Sequence, residues 1–365
     1  MKARVHFDGM AIFRQLGLLN PGPSARIRQL YWHVPVWNRI SQSSAIALAA
    51  LLITSGGFGV VGEWKDPSKH IIRFVEVEPG VSLEVLDWGG SGEPLLLLAG
   101  HGDTGHVFDD FAPRLTDGLR VFAITRRGFG ASSEPSQGYD LARMVEDIAR
   151  VTDTLKLGRV NVAGHSIAGD EMTRFALRYP DKVRKLVYLE AAYDRVEAQR
   201  LEGRFPKLPQ PPPEARESGS PEAVRTLVAR TEILMPESEI RATRIFGPDG
   251  QYLRPVTPEN VVHAVARMVE HPDYPAIRAP ILAIYAVYRT PADLSARYKT
   301  ADSETRQGLG QIFALWQSFA KDQRELLRKS VPQARVDEIQ GANHYVFISN
   351  RARVLKDMHA FLTAH

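Results

Sequence analysis

The run Leu95-Leu96-Leu97-Leu98 constrains this chain most. Four consecutive leucines in a strand point alternately to both faces of a sheet, so both faces must be covered. Around this run, from about Lys69, short apolar segments alternate with helical patterns. The expected strands are Ile71–Glu76, Ser82–Asp87, Pro94–Ala99, Arg120–Ile124, Val160–Ala163, Lys185–Leu189, Ile281–Tyr285 and Ala334–Glu338. Pro79-Gly80 between the first two marks a hairpin. Helical patterns cover Val107–Leu115, Leu141–Leu155, Ile167–Arg178 and Ala352–Leu362. The alternation predicts an α/β fold: a mostly parallel eight-stranded sheet, opened by an antiparallel hairpin and flanked by helices. About 90 residues separate the sixth and seventh strands. A loop that long is improbable inside a compact domain, so a small helical cap insertion is expected there. It contains the proline-rich run Leu208–Pro213, read as a stiff linker, and helix-like segments near Pro221–Leu234 and Pro258–Glu270. The organisation read from the chain is a leader (1–68), a core first part (69–193), the cap (194–275) and a core second part (276–365).

The leader is basic and the body is not. Residues 1–43 hold six Lys/Arg against one acid, leaving 40 basic and 41 acidic residues in the rest. The body is therefore not built to bind a polyanion, and nucleic acid is not an expected partner. Residues 40–62 carry no formal charge, with an apolar centre at Ala45–Ile53. Three readings compete: a membrane anchor, an export signal with a long leader, or neither. The first two place the body outside the cytoplasm, and the third leaves it inside. The chain of 365 residues has no cysteine, which excludes disulfides, thiolate metal sites and a cysteine nucleophile.

The chemistry centres on Gly164-His165-Ser166-Ile167-Ala168-Gly169, which ends an expected strand and opens an expected helix. Small residues two positions either side of a serine allow a tight strand-to-helix turn that pushes its hydroxyl outward. A serine needs a base to take its proton. Of eleven histidines, His344 follows the last expected strand and precedes the last helix, so its loop emerges at the same sheet edge as Ser166. His165 is beside the serine in sequence but is expected to point away. No phosphate loop, metal cluster or dinucleotide fingerprint is evident, so neither cofactor nor metal is expected. Gly128-Phe129-Gly130 lacks a third glycine at the right spacing. In the long segment before the last strand, Ile312, Phe313, Leu315, Trp316 and Phe319 form a helical apolar stripe. That spacing suits core packing; Phe313 and Trp316 are also candidates for lining an acyl pocket.

The serine turn, Gly100-His101-Gly102-Asp103, Arg127-Gly128-Phe129-Gly130-Ala131-Ser132 and Gly341-Ala342-Asn343-His344 together resemble the α/β-hydrolase superfamily, in its esterase-like members. The resemblance covers about residues 70–193 and 276–365. It implies Ser166 as nucleophile, His344 as general base, and the backbone N–H groups of Ile167 and Asp103 as oxyanion donors. The Asp103 carboxylate would oppose the developing charge, so it is expected to turn outward or be neutralised. The triad acid departs from the usual pattern. After strand seven, Arg289 stands where most relatives carry the acid, and Asp293 comes four residues later. Glu190, ending strand six, occupies the position of the acid in one subgroup of the similar haloalkane dehalogenases. Glu190 is therefore preferred, with Asp293 and Asp194 as alternatives. A serine where dehalogenases have aspartate argues against dehalogenation and epoxide opening. The expected function is cleavage of a small-molecule carboxylic ester, or a related acyl bond, through a Ser-His-Glu triad. The alternative is a non-catalytic small-molecule receptor on the same scaffold.

Overall fold

The computed structural model describes residues 64–209, 218–230 and 233–364. The body treated below starts at Ser68. The apolar stretch 40–62 and most of the proline-rich run lie outside the described residues. Among the described residues no helix is long and apolar enough to cross a membrane.

All eight expected sheet strands are present: β1 (Ile71–Glu78), β2 (Val81–Gly89), β3 (Glu93–Leu98), β4 (Leu119–Ile124), β5 (Val160–His165), β6 (Val183–Leu189), β9 (Ile281–Val287) and β10 (Arg335–Gln340). Their order is β1-β2-β4-β3-β5-β6-β9-β10. β1 and β2 pair antiparallel, β2 pairs antiparallel with β4, and the remaining pairs are parallel. Leu95, Leu96 and Leu97 are fully buried and Leu98 nearly so. Each buried leucine contributes about 1.5–3 kcal/mol.

The helices are α1 (Leu141–Thr154), α2 (Ala168–Arg178), α3 (Arg195–Glu202), α4 (Pro221–Ala229), α5 (Glu237–Thr243), α6 (Glu259–Ala266), α7 (Pro291–Leu294), α8 (Ser303–Ser330), α9 (Val346–Ser349) and α10 (Arg351–Thr363). The expected helix at Val107–Leu115 is instead two short 3-10 turns, Gly105–Phe108 and Ala112–Arg114. Pro113 has no N–H to give and clashes with the preceding turn, which stops a longer helix. The insertion between β6 and β9 contains α3 to α6 and a small hairpin, β7 (Arg244–Phe246) with β8 (Tyr252–Pro255). The hairpin was not anticipated from the pattern, although its turn ends on Gly250 at φ +76°.

One close approach decides how the central helix meets the sheet. A Cβ on Gly169, in the first turn of α2, would lie 2.1 Å from the Ala191 carbonyl oxygen. Only glycine allows the helix to sit that near the end of β6. Gly310, in the middle of α8, faces open space by the same measure. Gly169→Ala should destabilise the fold by on the order of 2 kcal/mol or more through backbone overlap. Gly310→Ala should stabilise it by about 0.5–1 kcal/mol through helix propensity. Urea unfolding of the two variants checks both signs; similar midpoints for the two would remove the packing argument.

Candidate active site

β5 ends at His165, and Ser166 follows in the left-handed region at φ +54°. A non-glycine residue held there costs on the order of 1–3 kcal/mol. The conformation turns the chain from strand to helix within one residue. α2 then starts with Ile167 at its N-cap position and has no side-chain cap. The first amides of a helix lack intrahelical acceptors and sit at the positive end of its dipole, so an uncapped start beside a serine suits a developing anion.

Glu190 ends β6 in the same way, at φ +52°, and is completely buried. The register aligns His165 with Leu189, so Ser166 and Glu190 leave adjacent strands at the same level. Tyr193 Oη and the Ala286 amide donate to Glu190 Oε1 at 2.8 and 2.9 Å. The other oxygen, Oε2, lies 3.7 Å from His344 Nδ1. That is longer than a hydrogen bond, but such contacts are often loose in resting enzymes and tighten in the reacting complex. Burial pushes the Glu190 carboxyl up to about 7, against the hydrogen bonds from Tyr193 and Ala286. Burial also takes His344 down to about 3, helped by the charge of Arg195. The two groups face each other across that gap.

The alternative acids have other partners. Asp293 Oδ2 accepts from the amides of Arg289 and Thr290, capping α7. Asp194 caps α3 through Glu197 N and accepts from His271 Nδ1 at 2.7 Å. His344 sits on the loop after β10, where Gly341 takes φ +70°. His165 does not point into solvent: it is buried, its Nε2 is 3.1 Å from the His344 carbonyl oxygen, and its ring packs 4.6 Å from that of His344. The residue before the serine therefore anchors the loop that carries the histidine.

The Gly100–Asp103 loop faces the same edge. The Asp103 amide closes a weak turn onto Gly100 O at 3.4 Å. Its carboxyl does not turn outward. It is buried, with Oδ1 3.3 Å from Tyr345 Oη and Oδ2 3.9 Å from His165 Nδ1. Burial raises it to about 7, so the neutral form is accessible near neutrality. The cap is fastened to this loop. Glu239 on α5 accepts from Thr104 N at 3.1 Å and Thr104 Oγ1 at 2.5 Å, and His101 Nε2 meets Val262 O on α6 at 2.9 Å.

The pocket at Ser166 is lined by His101, Ile167, Arg195, Gln199, Ala266 and neighbours on the cap. Phe313 and Trp316 are not among its lining residues. Trp316 is buried against Tyr193 and Phe319, on the core-facing stripe of α8. Sequence reasoning passed over Tyr193, Arg195 and Glu239. Tyr193 lies three residues after Glu190, and this proximity was the one available signal; nothing in the pattern marks Glu239 as buried.

Two sets of histidines and acids come together among the described residues: Asp194, Glu197 and His271, and a second set containing His70, His106 and Asp109. In the second, His70 Nδ1 and His106 Nδ1 lie 2.9 Å from the two oxygens of Asp109, and Ser238 of the cap donates to Oδ2. Burial opposes charge on His106, but hydrogen bonds to Asp109 and Glu84 outweigh it and raise His106 to about 10. Burial likewise opposes charge on Asp109, and its histidine partners hold it down at about 2. The arrangement reads as an imidazolium clamped between carboxylates, tying the cap to the core.

The chain has the α/β-hydrolase fold. A family model for the alpha/beta hydrolase fold matches residues 93–236. The 2-(acetamidomethylene)succinate hydrolase of Mesorhizobium japonicum is 32% identical over 143 residues, covering 33% of this chain and 51% of that protein. The bifunctional esterase/perhydrolase DCH of Acinetobacter calcoaceticus is 34% identical over 124 residues, covering 32% and 44%. The matches thus span about half the length of these curated relatives. Among solved structures, E-2-(acetamidomethylene)succinate hydrolase superposes with TM-score 0.58 at 23% identity, covering 81% of this chain and 100% of that one. A probable hydrolytic enzyme from Pseudomonas aeruginosa gives 0.56 at 20%, covering 82% and 96%.

The His106 network has a pH signature. A raised histidine contributes stability in full below its unfolded value of about 6.5, and the contribution is lost as pH rises through about 10. Thermal midpoints of the wild type should therefore fall between pH 6.5 and 10, and His106→Gln should be less stable at pH 6 with a flatter profile. Parallel profiles for the two proteins would show that the clamp does not act on stability.

Proposed function

We propose that this protein is a serine hydrolase that cleaves a carboxylic ester, or a related acyl bond, of a small molecule through Ser166, His344 and Glu190. One observation carries the reading: a serine strained into left-handed backbone leaves the sheet edge beside a buried glutamate, itself 3.7 Å from the imidazole on the last strand's loop. Ser166 Oγ attacks the acyl carbonyl while His344 takes its proton. The charge on the carbonyl oxygen is met by the Ile167 amide, with the Asp103 amide as second donor once its weak turn opens. Collapse expels the alcohol, which receives the proton from His344 and leaves an acyl-serine. Water, deprotonated by His344, attacks that ester and releases the acid and free Ser166. Glu190 orients the imidazole and stabilises its charged form. No cofactor enters these steps. The relatives' names, a succinate-derivative hydrolase and an esterase/perhydrolase, support acyl chemistry without choosing the bond.

Fluorophosphonate labelling with turnover of 4-nitrophenyl acetate and butyrate tests the reading. The wild type should label and turn over repeatedly, and Ser166→Ala should do neither; a folded wild type that does neither would leave the receptor reading. Glu190→Gln should lower kcat on the order of 10³-fold or more, and Asp293→Asn should change it little. The reverse would move the acid to Asp293.

Catalysis needs Glu190 ionised and His344 neutral, so kcat/KM should rise with pH through a single limb near 7, set by the buried Glu190 carboxyl. Glu190→Gln should abolish that limb. An unchanged limb in the variant would assign it to another group.

A further inference from the structure

Resting on the hydrolase reading above, we propose that the acyl group this site accepts carries a carboxylate, held by Arg195. Helix α3 starts immediately after Asp194 and crosses the pocket. Arg195, Ala198, Gln199 and Glu202 all line it, together with Ser166 and Ile167. Their spacing of three, four and seven places them on one helix face. The cap thus presents a guanidinium to the same space as the serine.

This guanidinium is under-satisfied, unlike those of the buried Arg126 and Arg127. Arg126 donates to both oxygens of Glu171, at 2.7 and 2.6 Å, and to the carbonyls of Ala99 and Gly100. Arg127 does the same with Asp147, at 2.6 and 2.7 Å, and adds Glu78 at 2.7 Å. The Arg195 side chain is 12% exposed, and its charged neighbour is Asp170, with Nε 3.1 Å from Oδ2. That contact is not aligned as a hydrogen bond, and both Nε and Nη2 are buried without an acceptor. Asp170 pairs with it only in part, because burial raises its carboxyl to about 7 against the charge of Arg195. A buried cation with idle donors is costly unless something pairs with it. Beside a nucleophile, the group that fits is a planar anion able to take two parallel N–H bonds, which is a carboxylate.

The same charge acts on the catalytic base. Arg195 contributes to holding His344 low, opposing the imidazolium that proton abstraction creates. An anion seated on Arg195 cancels that opposition, so binding the correct substrate raises the basicity of His344. A neutral ester leaves the penalty in place. Glu202, about 10 Å further along the helix axis, repels an anion from the other end of the face and directs the carboxylate toward Arg195.

The test compares ethyl butyrate with monoethyl succinate, whose four-carbon acyl chains differ in the terminal carboxylate. Wild-type kcat/KM, followed by acid release in a pH-stat, should favour monoethyl succinate. Arg195→Gln should lower the succinate-to-butyrate ratio by ~10- to 100-fold, the range for charged hydrogen bonds, and Arg195→Lys should recover part of it. Calorimetry supplies a readout without turnover: succinate should bind Ser166→Ala, and adding Arg195→Gln should abolish binding. A wild type that prefers ethyl butyrate, or succinate binding indifferent to Arg195, would overturn the proposal while leaving the hydrolase reading intact. Succinate binding through Arg195 with neither ester hydrolysed would support the anion site and sink the hydrolase reading. Should Arg195→Gln fail to fold, the wild-type preference and the lysine variant decide the matter.

Discussion

The pairing of His165 with Leu189 is the constraint on which the site depends. It sets two neighbouring parallel strands to end at the same level, and each continues into a non-glycine residue in left-handed backbone, Ser166 and Glu190. Each such residue stores on the order of 1–3 kcal/mol that the surroundings must offset. The offset comes from a sheet centre with almost no exposed surface. Ladder bonds also hold both ends, Ser166 N to Leu189 O and Glu190 N to Ile284 O. Strain of this kind persists only where packing over-determines the backbone, so the rigidity of β5, β6 and β9 and the aim of the two side chains are one physical fact.

A second layer is ionic. The Arg126 and Arg127 pairs staple loops to helices beneath the sheet edge, and the Glu84, His106 and Asp109 chain reaches Ser238 of the cap. Glu239, beside Ser238, holds the loop that carries Asp103. Its carboxyl is pushed well above the ordinary range by burial and by the nearby Asp103. Two carboxyls sharing one buried region disfavour double ionisation. The loop proposed to hold the oxyanion is therefore bound to the cap by groups that stay closest to neutral. Opening the cap would break these contacts together, which couples access to the site with the shape of that loop.

How much of this was legible in the sequence follows from range. Every strand of the eight-stranded sheet could be placed because each is a short apolar run bounded by breakers. The helices of the core followed from 3.6-residue periodicity, and the serine turn from its small flanking residues. The Val107–Leu115 pattern failed because periodicity outweighed Pro113. Glu190 could be singled out because it ends a strand next to the serine strand. Asp103 was expected to turn outward or be neutralised; it turns in, where burial raises its carboxyl and Tyr345, 242 residues away in sequence, offers it a hydroxyl. Arg195 left no trace in the pattern. An arginine opening a short helix is ordinarily solvated, and the walls that enclose this one come from α2 and α6.

The sequence by itself determined a covered, mostly parallel sheet with a serine at one strand-to-helix turn and a histidine after the last strand. It did so because hydrophobic periodicity and turn chemistry act within a few residues of the chain. The tertiary structure alone decided how near Glu190 comes to the histidine, how the neighbouring histidine holds its loop, and which arginine is left with idle donors in the pocket. Those outcomes depend on burial and charge pairing between segments far apart in the chain. Such energies exist only once the sheet has brought those segments to one edge.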